Sequence, residues 1–201
     1  MDWKKPAGIE SVENAIMALK SNGIEAELVK NREDARKRFL EIVPEGSEVM
    51  QVSSTTLNEA GITEEIDGGR FVSLRKKVHE AADEKERHEL RRRAITPEFG
   101  IGSVQAVTED GKLVIASASG SQIPVYSFGA ANVVLVIGTQ KVVKDIDMAT
   151  KRVYEYVLEK ESERMRNLGM GGSAVNMLLI MQKPGRLSKM HVIFTEEPLG
   201  F

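Results

Sequence analysis

The sequence predicts a three-layer α/β domain, and three observations support that prediction. The chain alternates strand-like and helix-like segments, which is typical of a layered α/β fold. One segment, 133–137, is apolar without interruption and rich in valine, as expected for a strand that is buried on both faces of a sheet. With 201 residues, of which 41% are hydrophobic, the chain can form one such domain over 1–201 and is short for two.

The first elements follow a strand and helix rhythm. Apolar residues at helical spacing follow Ser11, which predicts a helix that begins there and ends at Asn22 and Gly23, because glycine readily adopts the left-handed helix stop. Alternation over 24–28 predicts a strand. Asn31 is then the predicted N-cap of a second helix, which ends before the break at 44–46.

A short strand is predicted over 47–52, and it runs into three hydroxyl residues, Ser53, Ser54 and Thr55. The next four residues, 56–59, have the spacing of a capping box in which Thr56 caps a short helix and Glu59 reaches back to it. Farther along, 76–93 is helical in pattern, heavily charged and poor in apolar residues. It is interpreted as a solvated helix or a lid.

The second half of the chain predicts a hairpin, a long helix and further strands. Asp110 and Gly111 separate two strand-like runs, 103–108 and 112–116, and this dipeptide favours a tight turn between antiparallel strands. Asp145 is the predicted N-cap of a helix that reaches about Asn167. Two more strands are expected over 176–181 and 189–195. The hairpin is therefore expected to be embedded in a mostly parallel arrangement.

Composition excludes several classes of function. A net charge of −2 gives no electrostatic reason to expect nucleic acid or an anionic membrane as a partner. The chain has no cysteine, which excludes a thiolate metal site, an iron–sulfur cluster held by this chain and a cysteine nucleophile. The three histidines, at 79, 88 and 191, lack metal-ligand spacing, so no metal is predicted. With neither an apolar leader nor a 20-residue apolar run, we expect a cytoplasmic protein.

Three polar turns are the candidate ligand site, because each follows a predicted strand and turns at one end of a parallel sheet converge. Their small residues and backbone N–H groups suit a carboxylate or a phosphate. The alternative is that these residues only cap helices. Glu59 is a weaker candidate for a general base. The turn residues are Ser53, Ser54 and Thr55; Ser119, Gly120, Ser121 and Gln122; and Gly138, Thr139 and Lys141.

Taken together, a set of short motifs resembles the LUD domain family, which includes lactate utilization protein C. The motifs agree with that family in order and spacing over most of the chain. They are 56–62, 106–113, 119–122, 128–129, 142–147, 172–176 and 199–201. The resemblance implies the Rossmann-like fold of ribose-5-phosphate isomerase, glucosamine-6-phosphate deaminase, CoA transferases and 5-formyltetrahydrofolate cyclo-ligase. The chain departs from the pattern of that family at 169–173, where many members carry cysteines and this chain carries glycines and Ser173.

Two functional hypotheses remain open at this point. By family resemblance, the first is a role in the utilization of lactate or a related organic acid, with a small anionic metabolite bound at the turns. The second is a non-catalytic sensor or assembly subunit that docks onto iron–sulfur redox subunits, which the resemblance also implies as partners. Neither a reaction nor a cofactor follows from the sequence, and self-association into a homo-oligomer is left open.

Overall fold

The computed structural model describes residues 2–201 as two β-sheets with helices packed around them. The helices are α1 (Ile9–Ser21), α2 (Arg32–Ile42), α3 (Thr55–Glu59), α4 (Ile62–Glu65), α5 (Leu74–His79), α6 (Glu84–Arg93), α7 (Ile146–Arg152) and α8 (Leu158–Asn167). The strands are β1 (Glu25–Val29), β2 (Glu48–Gln51), β3 (Val72–Ser73), β4 (Phe99–Gly102), β5 (Ala106–Thr108), β6 (Leu113–Ser117), β7 (Asn132–Gly138), β8 (Val142–Val143), β9 (Met177–Met181) and β10 (Lys189–Thr195). The remaining elements are three short π-helices, Ile66–Arg70, Val125–Gly129 and Val153–Val157, and one 3₁₀ helix, Thr139–Lys141.

The larger sheet has six strands in the order β1-β10-β7-β4-β2-β3, and every neighbouring pair is parallel. The predicted central strand is confirmed, since β7 lies between β10 and β4. Val133, Leu135 and Ile137 pack into the core on one face of the sheet, and Val134 and Val136 pack into the core on the other. This two-sided burial explains why the segment has no polar residue.

The smaller sheet has four strands in the order β8-β5-β6-β9. The predicted hairpin is confirmed, because β5 and β6 pair antiparallel around Gly111, whose φ is +81°. The hairpin is not embedded in the parallel sheet, however. It forms a separate sheet with β8, parallel to β5, and β9, antiparallel to β6. The hairpin is thus part of the predicted α/β fold and belongs to a mixed sheet of its own.

Layers of helices and sheets enclose three apolar clusters. One cluster joins α1 and the smaller sheet to the first face of the parallel sheet. A second joins α2 and α3 to the opposite face, and a third lies between α7 and the smaller sheet. The arrangement is the predicted three-layer, Rossmann-like α/β fold, with the smaller sheet and α7 adding to one side.

The helix caps were predicted with mixed success. Asn31 and Asp145 cap α2 and α7 as predicted, with their side chains accepting from the N–H groups of Asp34 and Met148 at 2.9 Å and 3.0 Å. Ser11 is not a cap, because α1 begins two residues earlier at Ile9 with Gly8 as its N-cap. Position 10 is an acidic residue that suits a helix's first turn, so the helix extends past the predicted start.

The charged segment 76–93 is two helices rather than one. Helix α5 ends at His79, and Asp83 caps α6, so 80–83 interrupts the predicted helix. The side chain of Asp83 offers the N–H group of Glu86 an acceptor at 2.8 Å, which favours a new start there. None of the residues of α6 is buried, as expected for a solvated helix. Within residues 2–201, no helix is both long enough and apolar enough to cross a membrane.

Candidate functional site

Four connections meet at the carboxyl edge of the parallel sheet. Because β2, β4, β7 and β10 are parallel, the residues that follow each of them lie at the same edge. Hydrogen bonds join all four connections: Thr56 follows β2, Ser103 follows β4, Lys141 follows β7, and the segment 196–201 follows β10. This edge is the usual place for a ligand in open α/β sheets.

Lys141 lies at the centre of these connections. The chain leaves the parallel sheet after β7 and enters the smaller sheet at β8, and Lys141 lies in the turn between them with 2% of its surface exposed. Its Nζ donates to Thr56 Oγ1 at 2.9 Å and to Ser103 Oγ at 3.2 Å. Both acceptors are neutral hydroxyls, so they provide hydrogen bonds and no compensating charge.

Burial lowers the pKa of Lys141 from 10.5 to about 7. The main cause is loss of hydration of the ammonium group, and the charge of Arg152 lowers the pKa further. The carboxylate of Glu59 acts in the opposite direction and raises it. An amine with a pKa near neutrality exists in both charge states at physiological pH.

The segment 196–201 covers this cluster and is held by several polar contacts. Glu197 forms an ion pair with Arg32 at the start of α2. The backbone oxygen of Leu199 accepts from Thr56 Oγ1 at 3.3 Å and from Gln140 Nε2 at 2.8 Å. Thr139 Oγ1 donates to the backbone oxygen of Glu196 at 3.2 Å. The segment is therefore bonded to Thr56, which also binds Lys141, and to the two residues that precede Lys141.

Glu59 has a different role from the one predicted. Ser54 is the N-cap of α3, with its Oγ accepting from the N–H group of Leu57 at 3.3 Å, so the capping box at Thr56 was predicted wrongly. The carboxylate of Glu59 instead accepts from the N–H group of Gly200 at 2.7 Å. The helix starts one residue before Thr56 because Ser54 already offers a capping oxygen there.

The turn 138–141 is packed closely against the segment 196–201. A Cβ added at Gly138 would lie 2.1 Å from Gln140 Oε1 and 2.5 Å from the backbone nitrogen of Leu199, so only glycine fits at that position. Gln140 Oε1 is itself buried and has no hydrogen-bond donor within residues 2–201. This turn thus presents one buried cation and one unpaired buried oxygen.

The turns after β2 and β7 come together through Lys141 and Thr56. The turn with Ser119, Gly120, Ser121 and Gln122 follows β6 instead, so it starts from the smaller sheet. Its side-chain hydrogen bonds are local, as in the 2.8 Å bond from Gln122 Nε2 to the backbone oxygen of Ala116. That the third turn joins the other two stays a prediction.

Comparison with known proteins identifies the family. The LUD domain family model matches residues 12–194 of the chain. The chain belongs to the LUD domain family. A DUF162 family protein from Deinococcus radiodurans is similar in structure, with a TM-score of 0.58 over 94% of this chain and 99% of that chain and with 9% sequence identity. This likeness supports the fold. No curated protein matches the sequence significantly.

The LUD domain family is associated with lactate utilization. In this LUD domain, no group of three or more histidine, aspartate or glutamate residues within 2–201 is arranged to hold a metal ion. His191 instead pairs with Glu27, with 2.6 Å between His191 Nε2 and Glu27 Oε1.

Sequence reasoning missed two residues near Lys141. Ser103 follows a short strand that is rich in glycine, and nothing in its surroundings distinguishes it from an ordinary turn serine. Arg152 is fully buried on the inner face of α7, three residues after the buried Ala149 and directly before the buried Val153. A charged residue on the apolar face of a helix was the available signal.

Proposed function

We propose that this LUD domain binds a small anionic metabolite of organic-acid metabolism, carrying a carboxylate or a phosphate, at the carboxyl edge of its parallel sheet. The proposal rests on one observation: Lys141 is buried, and its hydrogen-bond acceptors are neutral hydroxyls. Burial of a charge without a charged partner is costly, and proteins rarely keep such a group without a use for it. An anion is the partner that would stabilise the ammonium form.

The two polar turns that meet at Lys141 support the same assignment. Ser53, Ser54 and Thr55 directly precede Thr56, and Gly138 and Thr139 precede Lys141, so the bond between Thr56 and Lys141 joins the two turns, whose hydroxyls and N–H groups we propose as further ligand contacts. The proposal also includes Ser119, Gly120, Ser121 and Gln122 as a more distant wall. The proposal includes a movement of the segment 196–201, which is held by hydrogen bonds, by one ion pair and by the burial of Leu199 in the apolar core.

A second function, that of a sensor or assembly subunit that docks onto iron–sulfur redox partners, is compatible with the same site. Binding of a metabolite at Lys141 would displace the segment 196–201 and change the surface offered to a partner. Catalysis and sensing are distinguished by product analysis with any metabolite that binds. Turnover supports an enzyme, and stoichiometric binding without turnover supports a sensor.

The test is a thermal-shift screen with organic acids, sugar phosphates, CoA esters, folates and nucleotides, because a ligand specific for the folded state raises the melting temperature by mass action. The Lys141→Met variant should lose the shift caused by any hit. Lys144→Met removes an exposed lysine three residues away and should keep it. Loss of the shift in both variants, or in neither, would contradict a site at Lys141.

The hit should also bind more weakly as the pH rises above about 7. The protonated form of Lys141 attracts an anion, and in the free protein that form is depleted above a pKa of about 7. Isothermal titration at pH 6, 7 and 8 with the Lys141→Met variant as control measures this dependence. An affinity that is independent of pH over this range would mean that the ligand does not contact Lys141.

A further inference from the structure

Arg152 is the largest side chain that the fold buries completely. Its Nη1 donates to the backbone oxygen of Gln105 at 2.6 Å, while Nε and Nη2 have no acceptor within residues 2–201. The ring of Tyr156 lies 5.3 Å from the guanidinium carbon and adds a weak favourable contact. A buried guanidinium is thus left with two unused donors, an arrangement that folded proteins generally avoid.

The two unused donors form one edge of the guanidinium. Nε–H and the adjacent Nη2–H point in the same direction and are spaced to fit the two oxygens of a carboxylate or phosphate, the bidentate arrangement for which arginine is suited. Nη1, on the other side, is occupied by Gln105. The unpaired edge is therefore a complete anion-binding fork and not a scattered pair of atoms.

Arg152 and Lys141 both bond to the connection between β4 and β5. Lys141 donates to Ser103, and Arg152 donates to Gln105, two residues farther along the connection between β4 and β5. Two residues of extended chain span about 7 Å, so both cationic groups lie near one short stretch of backbone. Loss of hydration lowers the pKa of Arg152 to about 10, and its charge in turn lowers the pKa of Lys141.

The charges in this part of the fold do not balance. Among residues 2–201, the aspartates and glutamates are all at least partly exposed, whereas Lys141 and Arg152 are both buried. Glu59, the carboxylate whose charge acts on Lys141, is exposed and engaged with Gly200. Arg152 and the protonated form of Lys141 would together be compensated by a ligand that carries two negative charges.

We infer that Arg152 is a second anion-binding residue of the Lys141 site, and that the ligand is a dianionic metabolite with one acidic group on Lys141 and the other on the free fork of Arg152. This inference rests on the proposed function and narrows its substrate class. A dicarboxylate and a phosphorylated carboxylic acid share this chemistry, and the probes below separate them. Lactate carries a single negative charge and would bind only one of the two cationic residues.

The experiment compares three probes by isothermal titration at pH 7 and constant ionic strength: lactate, malate as a dicarboxylate, and 3-phosphoglycerate as a phosphorylated acid. The wild-type protein should bind at least one dianion about tenfold or more tightly than lactate, the factor that one charge-assisted hydrogen bond can supply. Which dianion binds more tightly identifies the second acidic group.

Three variants show which residue causes the preference for a dianion over lactate. Arg152→Met should remove the preference for the dianion over lactate, while Lys141→Met should weaken binding of all three probes. Lys151→Met removes the exposed cation next to Arg152 on the same helix and should behave as the wild type. If Arg152→Met keeps the preference, the inference is wrong and the proposed function stands. If the wild-type protein binds neither dianion more tightly than lactate, the inference is wrong, and the proposed function is decided separately by the thermal-shift screen.

A measurement on the wild-type protein covers the case in which Arg152→Met does not fold. The side-chain Nε–H resonance of Arg152 should shift when the better dianion is added and stay in place when lactate is added. An unchanged Arg152 resonance at saturating dianion would overturn the inference, because the fork would then not contact the ligand.

Discussion

Thr56 Oγ1 lies 2.9 Å from Lys141 Nζ, although 85 residues separate the two in the sequence. The same hydroxyl donates to the backbone oxygen of Leu199 at 3.3 Å. A hydroxyl has one proton and two lone pairs, so Thr56 can donate to Leu199 and still accept from the lysine. This one side chain therefore holds together the connections after β2, β7 and β10, around a lysine that has no carboxylate bonded to it.

The stability of the protein should depend on pH through Lys141. Its pKa is 10.5 when unfolded and about 7 when folded, so between these values the unfolded chain binds more protons and the free energy of unfolding rises with pH. At 1.36 kcal/mol per pKa unit, the gain from pH 7 to pH 10.5 is up to about 5 kcal/mol. Urea denaturation of wild type and Lys141→Met over this range measures the difference between them.

Lys144→Met is the matched control for that experiment, because Lys144 is exposed. Its stability should follow the wild-type curve, whereas Lys141→Met should lack the rise. Parallel curves for wild type and Lys141→Met would contradict the burial of a lysine with a lowered pKa.

Replacement of Thr56 by valine keeps the shape of the side chain and removes one of the two acceptors of Lys141 together with the hydroxyl donor to Leu199. We expect a loss of about 1–3 kcal/mol in the free energy of unfolding, the usual cost of leaving a buried polar group without its partner. Thr55→Val, at the neighbouring half-buried position, should cost less. Chemical denaturation checks both variants, and equal losses would mean that the bond to Lys141 contributes little.

Gly200→Ala should displace the segment 196–201. Gly200 has φ +66°, and a Cβ there would lie 2.3 Å from Thr56 Oγ1. Gly169→Ala is a matched control, because Gly169 has φ +76° and open space around it, so it reports the backbone strain alone, about 1–2 kcal/mol. We expect Gly200→Ala to be the more destabilising, and its amide resonances over 196–201 to move. Equal effects of the two variants would show that the segment is not packed on Thr56.

Asp145→Ala should lower the free energy of unfolding by about 0.5–2 kcal/mol, since it removes the side chain that caps α7. Asp147 lies in the first turn of the same helix, and Asp147→Ala should cost less because it loses only the favourable interaction with the helix dipole. If Asp145→Ala leaves stability unchanged and abolishes ligand binding, the residue belongs to a binding site and the capping interpretation is wrong.

Local patterns predicted the elements that local physics determines. The apolar run 133–137 indicated the central strand because burial on both faces excludes polar residues, and Asn31 and Asp145 indicated helix starts because a capping oxygen must precede the helix. The hairpin was predicted from the turn dipeptide Asp110 and Gly111. Its membership in a second sheet depends on pairing with β8 and β9, which are distant in the sequence, and no local pattern encodes that pairing.

The candidate site was only partly predictable for the same reason. Lys141 was named because it follows the strongest strand, yet its burial results from the passage of the chain between two sheets. Glu59 was placed in a capping box, whereas its partner is Gly200, which comes from the other end of the chain. Arg152 was overlooked because a charged side chain is seldom buried, although it lies between the buried Ala149 and Val153 on α7.

The most direct test of a site at Lys141 is chemical-shift mapping of the wild-type protein with the strongest hit from the thermal-shift screen. We expect the largest shifts on Lys141, on its partners Thr56 and Ser103, and on Gly200, which packs against Thr56. Shifts confined to the charged helices α5 and α6, with Lys141 and its neighbours unmoved, would contradict it.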